Sequence, residues 1–113
     1  MKTTCLLRCL LTLPLLILTA CGPPKPENTA EGGAALARAK NCLGCHAVDR
    51  KIVGPAFKDV AARYADDSGA AARLAAKIRA GGAGAWGVLP MPANSQVSEA
   101  EAAQLAAWVL AVK

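Results

Sequence analysis

Residues 42–46 read Cys42-Leu43-Gly44-Cys45-His46, two thiols three positions apart with an imidazole directly after the second. That order matches the attachment sequence of c-type haem, in which both sulfurs bond the vinyl groups of one porphyrin and the histidine reaches its iron. Three other uses of a close cysteine pair compete with it. A thioredoxin-like redox pair follows a strand in a βαβ surround, and the flanking sequence has no such pattern. A structural zinc ion takes four ligands, whereas the chain beyond residue 21 offers two cysteines and one histidine. A plain Cys42–Cys45 disulfide stays open on the residues alone, but it adds nothing to a core short of large side chains.

Haem held at His46 has a second axial position, and elimination points to Met91. His46 is the only histidine, and once Met1 leaves with the leader Met91 is the only methionine. A lone methionine usually fills a gap in a core. Here the triplet Pro90-Met91-Pro92 restricts the backbone on both sides and argues against a helix-face position. A His/Met pair raises the reduction potential of iron and fills both axial sites, which suits outer-sphere electron transfer over oxygen binding or catalysis. On this reading the protein is not an enzyme.

The elements that position these residues come from a short chain. It has 113 residues, 54% of them hydrophobic, yet its aromatics are only Phe57, Tyr64, Trp86 and Trp108. Alanine is the commonest apolar residue beyond the leader and buries little area, so a large apolar group that is not an amino acid is expected in the middle. The 13 basic and 8 acidic residues give a net charge of +5. Two of the basic residues, Lys2 and Arg8, lie in the leader, leaving 11 against 8 and a charge of +3. That excess is scattered, without Lys/Arg runs or basic–aromatic interleaving, which argues against nucleic acid as a partner.

Residues 1–20 read as an export signal: Lys2 and Arg8, then an apolar stretch to Leu18 too short to span a bilayer. Leu18-Thr19-Ala20-Cys21 resembles the bacterial lipobox, in which a peptidase cuts before a lipid-modified cysteine. Ordinary cleavage that leaves Cys21 a plain thiol is the competing reading; Leu18 stands where such cleavage wants a small residue. Residues 21–33, with Pro23, Pro24, Pro26, Gly32 and Gly33, then form a linker, and residues 34–113 a single domain.

Within that domain the apolar spacing is helical and nowhere alternates strictly. Leu36 and its alanines predict a short first helix ending near Asn41. Phe57, Val60, Ala61 and Tyr64 predict a second, opened by Gly54-Pro55 with the proline in the first turn. Leu74 and Ile78, with Ala71 and Ala75, predict a third, stopped by Gly81-Gly82. Ser98 and Glu101 form a capping box before a fourth, whose buried stripe is Leu105, Trp108, Val109 and Val112. The irregular stretch from Gly81 to Gln96 is long enough to suggest a functional role.

The domain as a whole resembles the short bacterial class I cytochromes c, small electron donors to periplasmic nitrite reductases and terminal oxidases. The matching segments are Cys42–His46, Val53-Gly54-Pro55-Ala56, Lys58-Asp59-Val60-Ala61-Ala62, Trp86-Gly87, Pro90-Met91-Pro92 with Asn94, and Leu105–Leu110. The resemblance implies an all-α class I cytochrome c fold, about four short helices around one covalently bound haem c. It implies that Pro55 accepts a hydrogen bond from the His46 ring and that Trp86 donates to a haem propionate. Lys77 or Arg79 would pair with a propionate, and Asn94 would donate toward the sulfur of Met91. Ordinary roles compete for each: core packing for Trp86, solvated helix charge for Lys77 and Arg79, turn formation for Asn94. Two features depart from the family. The first helix has Leu36 among alanines where the family usually packs a bulky residue against the last helix, and the lipobox and proline linker are additions.

The expected protein is an exported, lipid-anchored, monomeric carrier of single electrons. Its partners are redox proteins: a periplasmic reductase, a terminal oxidase or a quinol-oxidising complex. Lys40, Lys51 and Lys58 would ring the exposed haem edge and steer acidic partners. Two rivals are a haem sensor with an open axial site and a subunit permanently docked in a membrane complex.

Overall fold

The computed structural model describes residues 30–113; the leader, Cys21 and most of the expected linker lie outside them. The apolar spacing builds four α-helices: α1 (Ala30–Ala39), α2 (Phe57–Arg63), α3 (Ala70–Ala80) and α4 (Glu99–Leu110). A single 3-10 turn over Cys42–Gly44 follows α1. Among the described residues there are no strands, only two isolated antiparallel bridges, His46 with Lys51 and Gly82 with Met91.

The fourth helix is the organising element, because it packs against each of the other three. Its start is the expected capping box. The Glu101 N–H donates to Ser98 Oγ at 3.2 Å and the Ser98 N–H donates to Glu101 Oε2 at 2.9 Å, so two N–H groups without helical partners are satisfied reciprocally. It buries Ala102, Leu105, Ala106 and Val109.

Two helix starts differ from expectation. The linker was expected to run to Gly33, whereas α1 begins at Ala30 and takes in both glycines. The reason is contact with α4: a Cβ on Gly33 would lie 2.3 Å from Trp108 Cβ and Cγ. Glycine here is a packing residue that admits the indole, so α1 and α4 close on each other without a bulky residue on α1. The second helix begins at Phe57, with Ala56 extended as its N-cap, and Pro55 stands outside the first turn. Its opening N–H groups are spent elsewhere, Phe57 donating to the Ala47 carbonyl at 2.9 Å and Lys58 to that of Val48 at 3.0 Å. That frees the Pro55 carbonyl for another use.

The core is small in volume. Six of the eleven buried apolar residues among those described are alanines, and the largest side chain below 2% exposure is Val97. One cluster joins Ala37, Val97, Ala102 and Leu105, and another joins Phe57, Val60 and Val109. Cys42 and Trp108 pack against both. Side chains of this size stabilise a domain of this length only marginally, and the missing volume corresponds to a cavity beside them.

Candidate haem site

The Cys-x-x-Cys-His segment is shaped by backbone bonds before any side chain is considered. Asn41 takes a left-handed conformation, φ 60°, to leave α1. The 3-10 turn follows, with the Cys45 and His46 N–H groups both donating to the Cys42 carbonyl, at 3.2 and 3.0 Å. The Cys45 carbonyl then accepts from Val53 at 3.2 Å and Gly54 at 2.8 Å, folding residues 47–53 back on the motif. This fold-back delivers the carbonyl of Pro55 to His46, whose Nδ1–H donates to it at 2.8 Å. Nε2 is therefore the nitrogen left with a lone pair to meet a metal, and the bond fixes both tautomer and ring direction.

Packing holds the same ring. It stacks on Phe57 with centroids 5.1 Å apart and an interplanar angle of 14°, and Phe57 meets Trp108 edge-on at 5.0 Å. Gly54 completes the cradle: a Cβ there would stand 2.3 Å from His46 Cε1 and 2.7 Å from both ring nitrogens. The imidazole occupies the place of a missing side chain.

His46 and Cys45 line one side of a cavity of about 540 Å³, within the ~300–1,000 Å³ of small-molecule and cofactor sites. Leu74 and Ile78 of α3 line another part, and Trp86 and Met91 of the 81–96 loop line a third. Met91 is held at its backbone, since it and Gly82 exchange two hydrogen bonds, each 2.9 Å. Glycine is required beside it: Gly81 has φ 69°, and a Cβ on it would lie 2.4 Å from the Met91 carbonyl oxygen. The two cysteines of the motif are not joined to each other by a disulfide. Cys45 is exposed on the cavity, while Cys42 is partly covered by the core. An imidazole aimed by its carbonyl partner, a thioether, two neighbouring cysteines and an apolar wall form a set that fits haem c.

The structure separates the other expected residues. Trp86 and Lys77 line the cavity, and the Lys77 ammonium lies over Gly82. Arg79 does not line it. Its guanidinium donates to the Val97 carbonyl at 3.2 Å and to Glu99 at 3.0 Å, tying α3 to the start of α4. The Asn94 amide donates to the carbonyls of Ile78 at 2.8 Å and Pro92 at 3.3 Å, at the end of α3 and in the loop. Lys40 pairs with Glu101 at 2.9 Å and donates to the Gln96 carbonyl at 3.0 Å. Lys51 and Lys58 stay exposed. Sequence reasoning missed Gly54, whose neighbour Pro55 drew the attention, and Arg63, which sits 4.6 Å over the Trp86 ring.

Comparison with known proteins shows the family of the chain. The family model described as Cytochrome c matches residues 30–113. Cytochrome c-552 of Nitrosomonas europaea is 52% identical over 84 residues, covering 74% of this chain and 82% of that protein. Cytochrome c-551 of Azotobacter vinelandii is 58% identical over 83 residues, covering 74% of this chain and all of that one. The crystal structure of wild-type Nitrosomonas europaea cytochrome c552 superposes with a TM-score of 0.69 at 54% identity, covering 71% of this chain and 99% of that one. With the Cys42–His46 segment, the cradle of His46 and the helical fold already in place, the chain belongs to the cytochrome c family, as a short monohaem class I member that carries single electrons on covalently bound haem c.

Proposed function

We propose that His46 and Met91 are the axial ligands of this haem and that the protein works outside the cytoplasm, tethered to a membrane by lipid on Cys21. The observation that carries the ligand assignment is the 2.8 Å bond from His46 Nδ1 to the Pro55 carbonyl, which leaves Nε2 for the cavity that Met91 also lines. When bound, the haem supplies a one-electron ferrous/ferric couple. The residues of the chain do the rest. Pro55, Phe57 and Gly54 keep the imidazole from rotating, and Gly82 keeps the backbone of Met91 in place, so little has to move when the charge on iron changes. Apolar walls exclude water and disfavour the more highly charged ferric state. Lys77 and the Trp86 indole are the cavity groups suited to the propionates.

The partner-facing edge follows from exposure. Val88 and Leu89, 92% and 66% exposed, line the cavity mouth with Val53 at 50%. Lys51 lies on the same cavity and Lys58 is also exposed, so an acidic face on a periplasmic reductase, terminal oxidase or quinol-oxidising complex is the complementary surface. Transfer rates to such a partner fall as salt is added.

Met91→Ala tests the ligand assignment. The expected variant has a lower midpoint potential, has lost the weak long-wavelength ferric band of sulfur ligation, and binds carbon monoxide rapidly. A wild-type spectrum and potential in Met91→Ala would refute it. Cys21, outside the described residues, is tested by Cys21→Ser, which is expected to move the cytochrome from membrane to soluble fraction with its visible spectrum unchanged. Wild-type protein found entirely in the soluble fraction refutes the anchor.

A further inference from the structure

The loop between α3 and α4 is unevenly fastened. Its two ends are tied firmly, by the Gly82–Met91 pair and by the Asn94 N–H, which donates to the Arg79 carbonyl at 3.0 Å. Between those ties, residues 83–90 form a lobe at the mouth of the cavity, closed on itself by the Gly84 N–H donating to the Gly87 carbonyl at 2.9 Å. Gly84 and Gly87 have φ of 96° and 117°, and neither would bring a Cβ within 4 Å of another atom, so their neighbourhoods do not brace the lobe.

Among the described residues, the hydrogen bond that reaches this lobe from the helices comes from Arg63. This side chain leaves the last turn of α2, donates to the Ala85 carbonyl at 2.6 Å, and lays its guanidinium 4.6 Å over the Trp86 ring. The same group lies 5.8 Å from the Tyr64 ring. Arg63 itself does not line the cavity, whereas Tyr64 and Trp86 both do. It forms no ion pair with a carboxylate among the described residues, so its charge serves the two rings and the carbonyl. A guanidinium is suited to this double task, because its plane stacks on a ring while its edge donates in fixed directions.

We propose that Arg63 is a positioning residue for Trp86, latching the 83–90 lobe across the cavity mouth and so limiting the access of water to the haem. This rests on the reading that the cavity wall formed by Trp86 faces the haem. With the latch released, the lobe is held by its two ends alone, water reaches the cavity more often, and the ferric state gains relative to the ferrous one.

The test uses Arg63→Met in the haem-loaded protein, a change that keeps an apolar stem and removes both donor and charge. Solvent exchange of the two tryptophan indole N–H groups is measured by nitrogen-resolved NMR in the ferrous state, together with the midpoint potential. The expected result is exchange at Trp86 at least ~10-fold faster than in wild type, corresponding to about 1.4 kcal/mol of lost protection. The Trp108 indole, partly buried against the core and away from Arg63, is expected to be unchanged, and the midpoint potential to fall. A Trp86 indole exchanging within twofold of wild type, or a midpoint potential that does not fall, overturns the proposal. Should Arg63→Met load haem poorly, Arg63→Gln is read by the same two criteria. Trp86→Phe separates the proposal from the reading beneath it. A midpoint potential unchanged in Trp86→Phe removes the role of Trp86 beside the haem, whereas a shifted one with unchanged exchange in Arg63→Met removes the latch alone.

Discussion

Adding one methyl group at Gly54 puts the cradle of His46 to its most direct test. The new Cβ would stand 2.3 Å from Cε1 and 2.7 Å from Nδ1 and Nε2 of the ring, well inside van der Waals contact. Gly54 does not have a positive φ, so alanine meets no backbone strain and the clash is the whole perturbation. The ring has little room to retreat, with its Nδ1 held by Pro55 at 2.8 Å and its far face stacked on Phe57 at 5.1 Å. Overpacking of a filled site costs ~1–3 kcal/mol, and a displaced histidine hydrogen bond adds about 1 kcal/mol. Gly54→Ala is therefore expected to lower the stability of the haem-loaded protein by about 2–4 kcal/mol. Guanidinium unfolding of the ferric protein, followed by circular dichroism and the visible band together, measures this, and imidazole NMR reports whether the Nδ1 proton stays protected. Gly44→Ala is the control. Its Cβ first meets the amide of exposed Asn41 at 3.3 Å, which a small side-chain shift relieves, and a loss within about 0.5 kcal/mol is expected. A loss in Gly54→Ala as small as the control, with the Nδ1 proton still protected, would refute the idea that the missing side chain is what seats the imidazole.

Gly33→Ala places a Cβ 2.3 Å from Trp108 and is expected to destabilise the fold by ~1–3 kcal/mol, read by thermal unfolding; a change near zero would mean that α1 does not depend on that close approach. The Glu101 carboxyl is held below the ordinary carboxylate range, first by its hydrogen bond from Lys40 and then by the Ser98 N–H. Its contribution is therefore fully present above the pKa it has when unfolded and is lost as pH falls through its lower folded value. Glu101→Gln, which can keep the capping box, is expected to flatten the acid side of the thermal stability profile below about pH 4; an unchanged acid slope would show that the Lys40 contact contributes nothing. Asp67 is lowered in the same direction, first by its hydrogen bond from Arg73, and Asp67→Asn is expected to flatten the acid side in the same way, checked by the same profile.

The chemistry of this protein was written locally, and so it was legible in the sequence. Covalent attachment needs two thiols and a histidine within five residues, and Cys42, Cys45 and His46 meet that condition whatever the chain does elsewhere. The sole remaining methionine, the four helical stretches and the Ser98–Glu101 box are likewise properties of composition or of spacing along one helix. What only the tertiary structure decided are contacts between segments far apart in the chain, where one side chain faces several competing partners. Which groups Arg79 and Asn94 meet is one such case: the packing of α3 against α4 brings them to the Val97 carbonyl, Glu99 and the Ile78 carbonyl. Lys40 is taken by Glu101 for the same reason. Gly33 looks like linker because a glycine carries no sign of what fills the space beside it, and the Trp108 indole that does so arrives from the last helix. Arg63 stands over Trp86, distant in sequence, only because the 81–96 loop folds back over the end of α2. Periodicity records which face of an element is buried, whereas the partner that buries it is settled by the whole fold.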